Sequence, residues 1–496
     1  MISNINKVFT NQIVSSSKQG FCNYKKQVLN LFNFQDKADA NYLAATFDPT
    51  RPLQGHQVRE VRNQEARYEI STLSNGIKVL TESQIFPNVV DLGILLDVGT
   101  RDETSETSGS LLSIKNTYYK TFLNTNETIN YGMVQMSGGD FEMDYDQESA
   151  YFKAHCLQHD VIDIFNMMAD CALEPRSATS ANVAMDKAQW THKLAEYLAT
   201  GQEVSDNLLK TAFGVKGLGM PINGLKNNIG NLHANVLQKF QLENINPNKV
   251  YIVGAGIENH QEFADLCEAK LSFIPQVTGD VKQREASEYI GGEHRNQTTD
   301  NDITIALAFE SVSWTHEDVF AFQVLNNLMG SSASFSTGGP GKGMHSRATT
   351  NLLNKLAYVD NANTINFNFS DTGLFGLTLG GPSSQAQEIL RTLVGEIRGL
   401  AEPIPQEELQ RAKNITKSNI LMAMERQKDR AEEAIKNVRT FGRLTFQDYA
   451  NNVDQVTGDQ INNAVRKLFN KRPTLIASGG QVNTLPSLDA IQNMFN

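Results

Sequence analysis

Cysteine is scarce in this chain of 496 residues: there are four, Cys22, Cys156, Cys171 and Cys267, with no Cys-x-x-Cys pair and no regular spacing. That pattern excludes a disulfide framework and a zinc ribbon, and it fits a reducing compartment. Long apolar runs are missing too. No stretch reaches the roughly eighteen uninterrupted apolar residues from which a bilayer-spanning helix is built. Positive charge is in deficit, with 44 Lys and Arg against 55 Asp and Glu for a net charge of −11. Nucleic-acid binding calls for a basic face, so no nucleic-acid partner is expected, and basic peptides suit the charge balance better.

What is present is ordinary globular material, 40% hydrophobic and 20% charged, in a chain too long for one core. The N-terminus departs from that average. Residues 1–35 hold no Asp or Glu, while Lys7, Lys18, Lys25 and Lys26 supply charge and Ser15, Ser16 and Ser17 cluster. Ile5, Val8, Phe9 and Ile13 fall on one helical face, the pattern of an organelle transit peptide. Residues 1–45 are therefore read as a mitochondrial targeting segment. The first arginine is Arg51, where transit peptides usually carry several, so a plain N-terminal extension that binds a partner stays open.

Ordered structure is expected from near Tyr68. "YEISTLSNGIKVLTE" reads as two strands about the Asn75-Gly76 turn, a strong hairpin signal. "VVDLGILLDVGT" (89–100) reads as a buried strand, "DFEMDYDQESAYFKAHC" (140–156) as alternating strand, and "DVIDIFNMMADCALEP" (160–175) as a helix ended by Pro175. The second half repeats the order. "DITIALAFESV" (302–312), "TINFNFSDTGLFGLTLGG" (364–381) and "QAQEILRTLVGEIRGLAEP" (385–403) match strand, strand pair and helix, with Glu402-Pro403 echoing Glu174-Pro175. A further helical run follows each, with Lys187 in "NVAMDKAQ" and Lys413 in "EELQRAKN". The order implies a duplicated α+β unit. The expected division is residues 65–275, a polar linker at 276–295, and residues 296–485, two halves that would enclose a cleft.

Few residues nominate themselves for chemistry. His155 and His159 in "HCLQH" are four apart, but the first ends a strand pattern and the second precedes a helix, and no glutamate lies between them, so a structural or solvent role is expected. A P-loop reading of Gly341-Lys342 fails, because Gly343 follows the lysine and Ser336 stands where the first glycine belongs. No Ser/His/Asp or Cys/His set stands out among nine histidines. The glycine run in "SFSTGGPGKGMHSR" (334–347) remains. Glycine allows close backbone approach and Pro340 limits the freedom, so an extended peptide could pair with the exposed amides. A mobile surface loop is the plain alternative.

"LMGSSASFSTGGPGKGMHSR" (328–347), "FSDTGLFGL" (369–377), "EELQRAKN" (407–414) and "FGRLTFQDY" (441–449) resemble the non-catalytic, alpha-type chains of the pitrilysin-like (M16) metallopeptidase family, over roughly residues 70–480. The resemblance implies two homologous pitrilysin-like α+β domains from an internal duplication, joined by a linker. Catalytic members hold zinc with an inverted His-x-x-Glu-His motif and a distant glutamate. That motif falls here on "LLSIKN", placing Leu112 and Asn116 at the histidines and Lys115 at the glutamate. The distant glutamate falls near Thr191, His192 or Lys193. The resemblance therefore implies no catalytic residue and no cofactor in this chain, and zinc in a partner, the catalytic beta subunit of a processing peptidase. It assigns presequence peptides to Ser334, Phe335, Gly338, Gly339, Pro340, Gly341, Lys342, Gly343 and Met344. Ser331, Ser332 and Ala333 stand where further glycines are usual. The matching compartment is the mitochondrial matrix, or the matrix side of the inner membrane among cytochrome bc1 (complex III) subunits. There related chains act as core proteins, with or without processing activity.

Overall fold

The computed structural model describes residues 67–83, 88–121, 127–175, 190, 203–228, 230–275, 284–333, 345–442 and 445–495. The chain divides into two units, Met1–Glu65 and Ala66–Asn496, and the described residues belong to the second. The acid-free N-terminal segment and the run 182–189 lie outside the described residues.

Residues β1 (Tyr68–Thr72) and β2 (Lys78–Ser83) form the hairpin that Asn75-Gly76 signals, with Thr72 opposite Lys78. Gly76 takes φ 101°, open to glycine, and the buried Asn75 amide donates to Leu271 O at 3.0 Å. Then come β3 (Val89–Leu96), α1 (Ser110–Thr117), α2 (Glu127–Met136), β4 (Asp140–Tyr145), β5 (Ala150–Leu157) and α3 (Val161–Leu173). After these follow α4 (Glu203–Phe213), α5 (Ala234–Asn244), β6 (Val250–Ile257) and α6 (His260–Leu271). The first sheet runs β1-β2-β6-β3-β5-β4, leaving β4 at one edge.

The second half contains β7 (Gly292–Gln297), β8 (Asp302–Ser311), α7 (Val319–Met329), β9 (Ser332–Ala333), β10 (Asn361–Asn368) and β11 (Gly373–Pro382). It continues with α8 (Ala386–Gly399), α9 (Gln406–Met424), α10 (Gln427–Phe441), α11 (Phe446–Gln455), α12 (Gly458–Phe469), β12 (Thr474–Gly479) and α13 (Leu488–Gln492). Its sheet runs β7-β12-β8-β11-β10-β9. Strip β1 and β9 from the outer edges and the two orders coincide strand for strand. Even the one parallel pair recurs, β2 with β6 and β7 with β12. The duplication read from the sequence is a repeated mixed sheet with helices, an α+β fold.

Each sheet buries one face against helices of its own half. Val90, Leu92, Ile94 and Leu96 of β3 alternate inward onto Phe165, Met168 and Ala172 of α3. The opposite faces are covered by exchange. Ala431, Ile435 and Val438 of α10, spaced four and three apart, pack on Leu80, Leu95 and Val253 of the first sheet. In return Leu208, Leu209, Ala212 and Phe213 of α4 pack on Ala306, Ala308, Leu374 and Ile476 of the second. Each half is completed by a helix from the other.

Ion pairs reinforce this interlock. Arg101 donates to Glu148 at 2.6 Å and in bidentate fashion to Asp371 at 3.0 and 2.5 Å, joining the β4–β5 turn to the β10–β11 turn. Arg284, in the segment between the halves, donates to Asp97 at 2.9 Å and Asp102 at 2.7 Å, and Arg439 of α10 reaches Asp97 at 3.1 Å. Such bidentate pairs, largely buried, fix orientation as well as contributing energy.

Candidate functional site

The sequence directs attention to α1 and to the glycine run. The start of α1 is set by Gly109, whose φ of 93° and close approach to the Trp190 ring leave no room for a side chain. The buried Glu103 carboxyl accepts the N–H groups of Gly109 at 2.8 Å and Leu111 at 2.9 Å, supplying acceptors that a helix start needs. Burial pushes Glu103 up to about 8, against the pull of those backbone donors.

On α1 the residues Leu112, Lys115 and Asn116 share a face by their spacing. Leu112 is 5% exposed and belongs to an apolar cluster with Trp190, Leu232 and Leu237. Lys115 points its ammonium at Asp144 at 3.1 Å and stands 5.6 Å from the Tyr145 ring centroid. These side chains do not fit a zinc ion. Leucine carries no donor atom, and an ammonium already paired to a carboxylate neither binds a cation nor serves as a base toward water. Among the described residues no three or more His, Cys, Asp or Glu side chains converge to hold a metal. Thr191, His192 and Lys193 lie outside the described residues.

The neighbouring edge strand supplies what the sequence reading missed. Phe141 and Met143 of β4 are buried, so Asp140, Glu142 and Asp144 alternate onto the opposite face. Lys428 of α10 bridges Asp140 at 3.0 Å and Glu142 at 3.2 Å, and Lys153 reaches Asp144 at 2.9 Å. Burial alone would raise the pKa of Asp144, but Lys153 and Lys115 outweigh it and lower the pKa. The period-two acids in "DFEMDYD", with Lys153 in the next strand, are the signal that could have found this ladder; Lys428 comes from α10 and leaves no local trace.

His155 and His159 do not converge. His155 in β5 meets Asp91 Oδ1 at 2.7 Å across the strand pair, while His159 sits in a 3-10 turn with its side chain 74% exposed. Cys156, Cys171 and Cys267 are free, buried thiols with pKa raised by burial.

The nine residues assigned to peptide binding, Ser334, Phe335, Gly338, Gly339, Pro340, Gly341, Lys342, Gly343 and Met344, lie outside the described residues. Their flanks are firmly seated. Gly330 closes α7 at φ 71°, and a Cβ there would lie 2.6 Å from Ser346, so the two feet of the run touch. On the near side Ser332 and Ala333 pair with Ala362 and Asn361 of β10. On the far side Arg347 donates to both oxygens of Glu408, at 2.7 and 3.0 Å, and residues Ala348–Leu353 form a π-helical turn that sinks Ala348 and Leu352 into the core. The element after the run is this short turn. Beside it opens a cavity of about 510 Å³ lined in part by His345, Glu396 and Glu402.

The duplicated sheets and the helix exchange define a class, and comparison with known proteins gives it a name. Residues 78–225 match the model of insulinase (peptidase family M16), and residues 231–416 match that of the peptidase M16 inactive domain. The chain belongs to peptidase family M16. Among curated relatives it is similar to mitochondrial-processing peptidase subunit alpha of Solanum tuberosum, 29% identical over 435 residues, covering 87% of this chain and 85% of that protein. A probable mitochondrial-processing peptidase subunit alpha-2 of Arabidopsis thaliana is 27% identical over 434 residues, covering 87% and 86%. Among solved structures, a chain of complex III2 from Candida albicans with Inz-5 bound shares the fold with a TM-score of 0.71 at 18% identity, covering 86% of this chain and 99% of that one.

Proposed function

We propose that this chain is the non-catalytic alpha subunit of a mitochondrial processing peptidase, which captures presequence peptides on the glycine run 334–344 and presents them to a zinc-bearing beta subunit. The observation that carries the reading is the contrast within one molecule. The zinc-motif helix has been given over to packing and ion pairing by Leu112 and Lys115, whereas the glycine run is kept between two anchored feet, Gly330 and Ser346. The alpha-subunit names of the relatives support the assignment and its mitochondrial setting. The working location is the matrix.

The test is reconstitution. Purified alone, the chain is expected to carry no stoichiometric zinc and to cleave no presequence; mixed with a beta subunit bearing the intact motif, it is expected to restore cleavage. One tightly bound zinc per chain, or cleavage by the chain alone, overturns the proposal. Native purification separates the settings. One co-purifying chain means a soluble peptidase; cytochromes and an iron–sulfur subunit alongside it mean a core protein of complex III, and presequence cleavage by that assembly then decides whether capture is retained.

A further inference from the structure

Each sheet of this fold is open and ends in two edge strands, whose unbonded N–H and C=O groups invite pairing with another chain unless something blunts them. Three of the four edges are blunted. Along β4 the hydroxyls of Tyr118 and Tyr119 both donate to the Phe141 carbonyl, at 3.1 and 2.9 Å, and the ammoniums of Lys153 and Lys428 cross its face. The edge strand β9 is two residues long, and β7 carries Glu293, His294 and Arg295 in succession. The fourth edge, β1, reads "YEIST", with no lysine, no proline and no bulge against β2.

The bonding phase of β1 is fixed at both ends. Arg67 O accepts the Ser83 N–H at 2.9 Å and the Leu73 N–H donates to Ile77 O at 2.8 Å, so the odd-numbered residues Glu69 and Ser71 turn their backbone groups to β2. The N–H and C=O of Tyr68, Ile70 and Thr72 therefore face the open edge, where no other strand among the described residues pairs with β1. By the pleat these three residues also share one face of the sheet. Ile70, opposite Leu80 and 44% exposed, lies with Tyr68 on the wall of a cavity of about 810 Å³ bounded by α10 and by α7, α9 and α11. Its apolar wall includes Ile420 and Met424 of α9 and Phe441 of α10.

A strand laid antiparallel on β1 would set a residue opposite each of Tyr68, Ile70 and Thr72. Each such residue both bonds the edge and turns its side chain over the cavity. Edge and cavity thus ask for the same thing, an extended segment with an apolar residue at every second position. A ligand that comes and goes would leave the edge bare in between, so the occupant that fits is one that stays bound. We propose that β1 is a strand-addition site, completed by an extended, alternately apolar segment of a partner subunit paired antiparallel with Tyr68–Thr72. The inference does not depend on peptide capture by the glycine run.

The experiment is residue-resolved amide hydrogen exchange, on the full chain alone and on the assembly purified gently with its native partners. In the chain alone the amides of Tyr68, Ile70 and Thr72 are expected to exchange at least about tenfold faster than those of Glu69 and Ser71, which β2 holds. In the assembly the three outward amides are expected to slow to the rate of their neighbours. Outward amides that stay fast in the assembly, or that are already slow in the dilute chain alone, overturn the proposal. Protection that rises with the concentration of the chain alone overturns it too, because two copies would then be pairing through β1. A capped heptapeptide of alternating threonine and valine, added to the chain alone, tests the geometry. At about 1 mM it is expected to slow the three outward amides about twofold or more, as a millimolar Kd gives. N-methylation of its valine amides should abolish the effect, since the apolar residues are the ones that bond the edge, and N-methylation of its threonine amides should not. No slowing by the unmethylated peptide, or equal slowing by the two methylated forms, overturns the proposal as well.

Discussion

Leu112 and Lys115 occupy one face of α1 and make opposite demands on it. Leu112 is buried against Trp190, so Leu112→Ala is expected to cost about 2–4 kcal/mol by opening a cavity, read from denaturant unfolding. Lys115 is 41% exposed and its partner Asp144 56%, so Lys115→Ala is expected to change stability by less than about 1 kcal/mol and to leave peptide capture intact. A large loss of capture on Lys115→Ala would mean that this face still handles substrate. Asp371 shows the other use of charge. Burial would raise its pKa, but hydrogen bonds from Arg101 and Ser287 and the Arg101 charge outweigh that and lower it. A carboxylate depressed on folding contributes stability that is complete above its unfolded value and is lost as pH falls through the folded one. Thermal unfolding followed from about pH 6 down to pH 3 should show the unmodified chain losing stability more steeply than Asp371→Asn, since the variant has no such proton to take up. Parallel curves would remove Asp371 from the latch.

Elements, not single contacts, hold the halves together. Without α10 the first sheet would expose Leu80, Leu95 and Val253, and without α4 the second would expose Ala308, Leu374 and Ile476. Either half expressed alone, cut in the segment before β7, is therefore expected to aggregate or bind a hydrophobic dye. Co-expression of both halves should give a soluble complex, as size-exclusion chromatography would show. A half that folds alone would contradict the exchange. The sequence told part of this. The Asn75-Gly76 hairpin, the β3 and β8 strands and the α3 and α8 helices were legible because turn chemistry and apolar period are local. The destination of α10 was not. Its apolar residues Ala431, Ile435 and Val438 announce a buried face, but periodicity cannot say which sheet covers it, and chain order points to the wrong one.

At the scale of the molecule, two repeats of one sheet have diverged in what they carry. The first carries α1, whose Leu112 packs on Trp190; the second carries the glycine run between touching feet. Leu112 and Lys115 could be read as unfit for a metal from the sequence alone, because leucine carries no donor atom and an ammonium repels a cation in any fold. The Lys428 bridge over β4 was not legible, because α10 brings that lysine from 288 residues beyond Asp140 and 286 beyond Glu142. The central claim is that the glycine run captures the peptide, and equilibrium titration of a labelled presequence tests it most directly. The comparison is between the unmodified chain and a variant with Gly338, Gly339 and Gly341 replaced by alanine, each checked for pairing with the catalytic subunit. Restricting three permissive backbone positions is expected to weaken peptide binding by about tenfold or more while pairing persists. Unchanged affinity in the variant would contradict the claim.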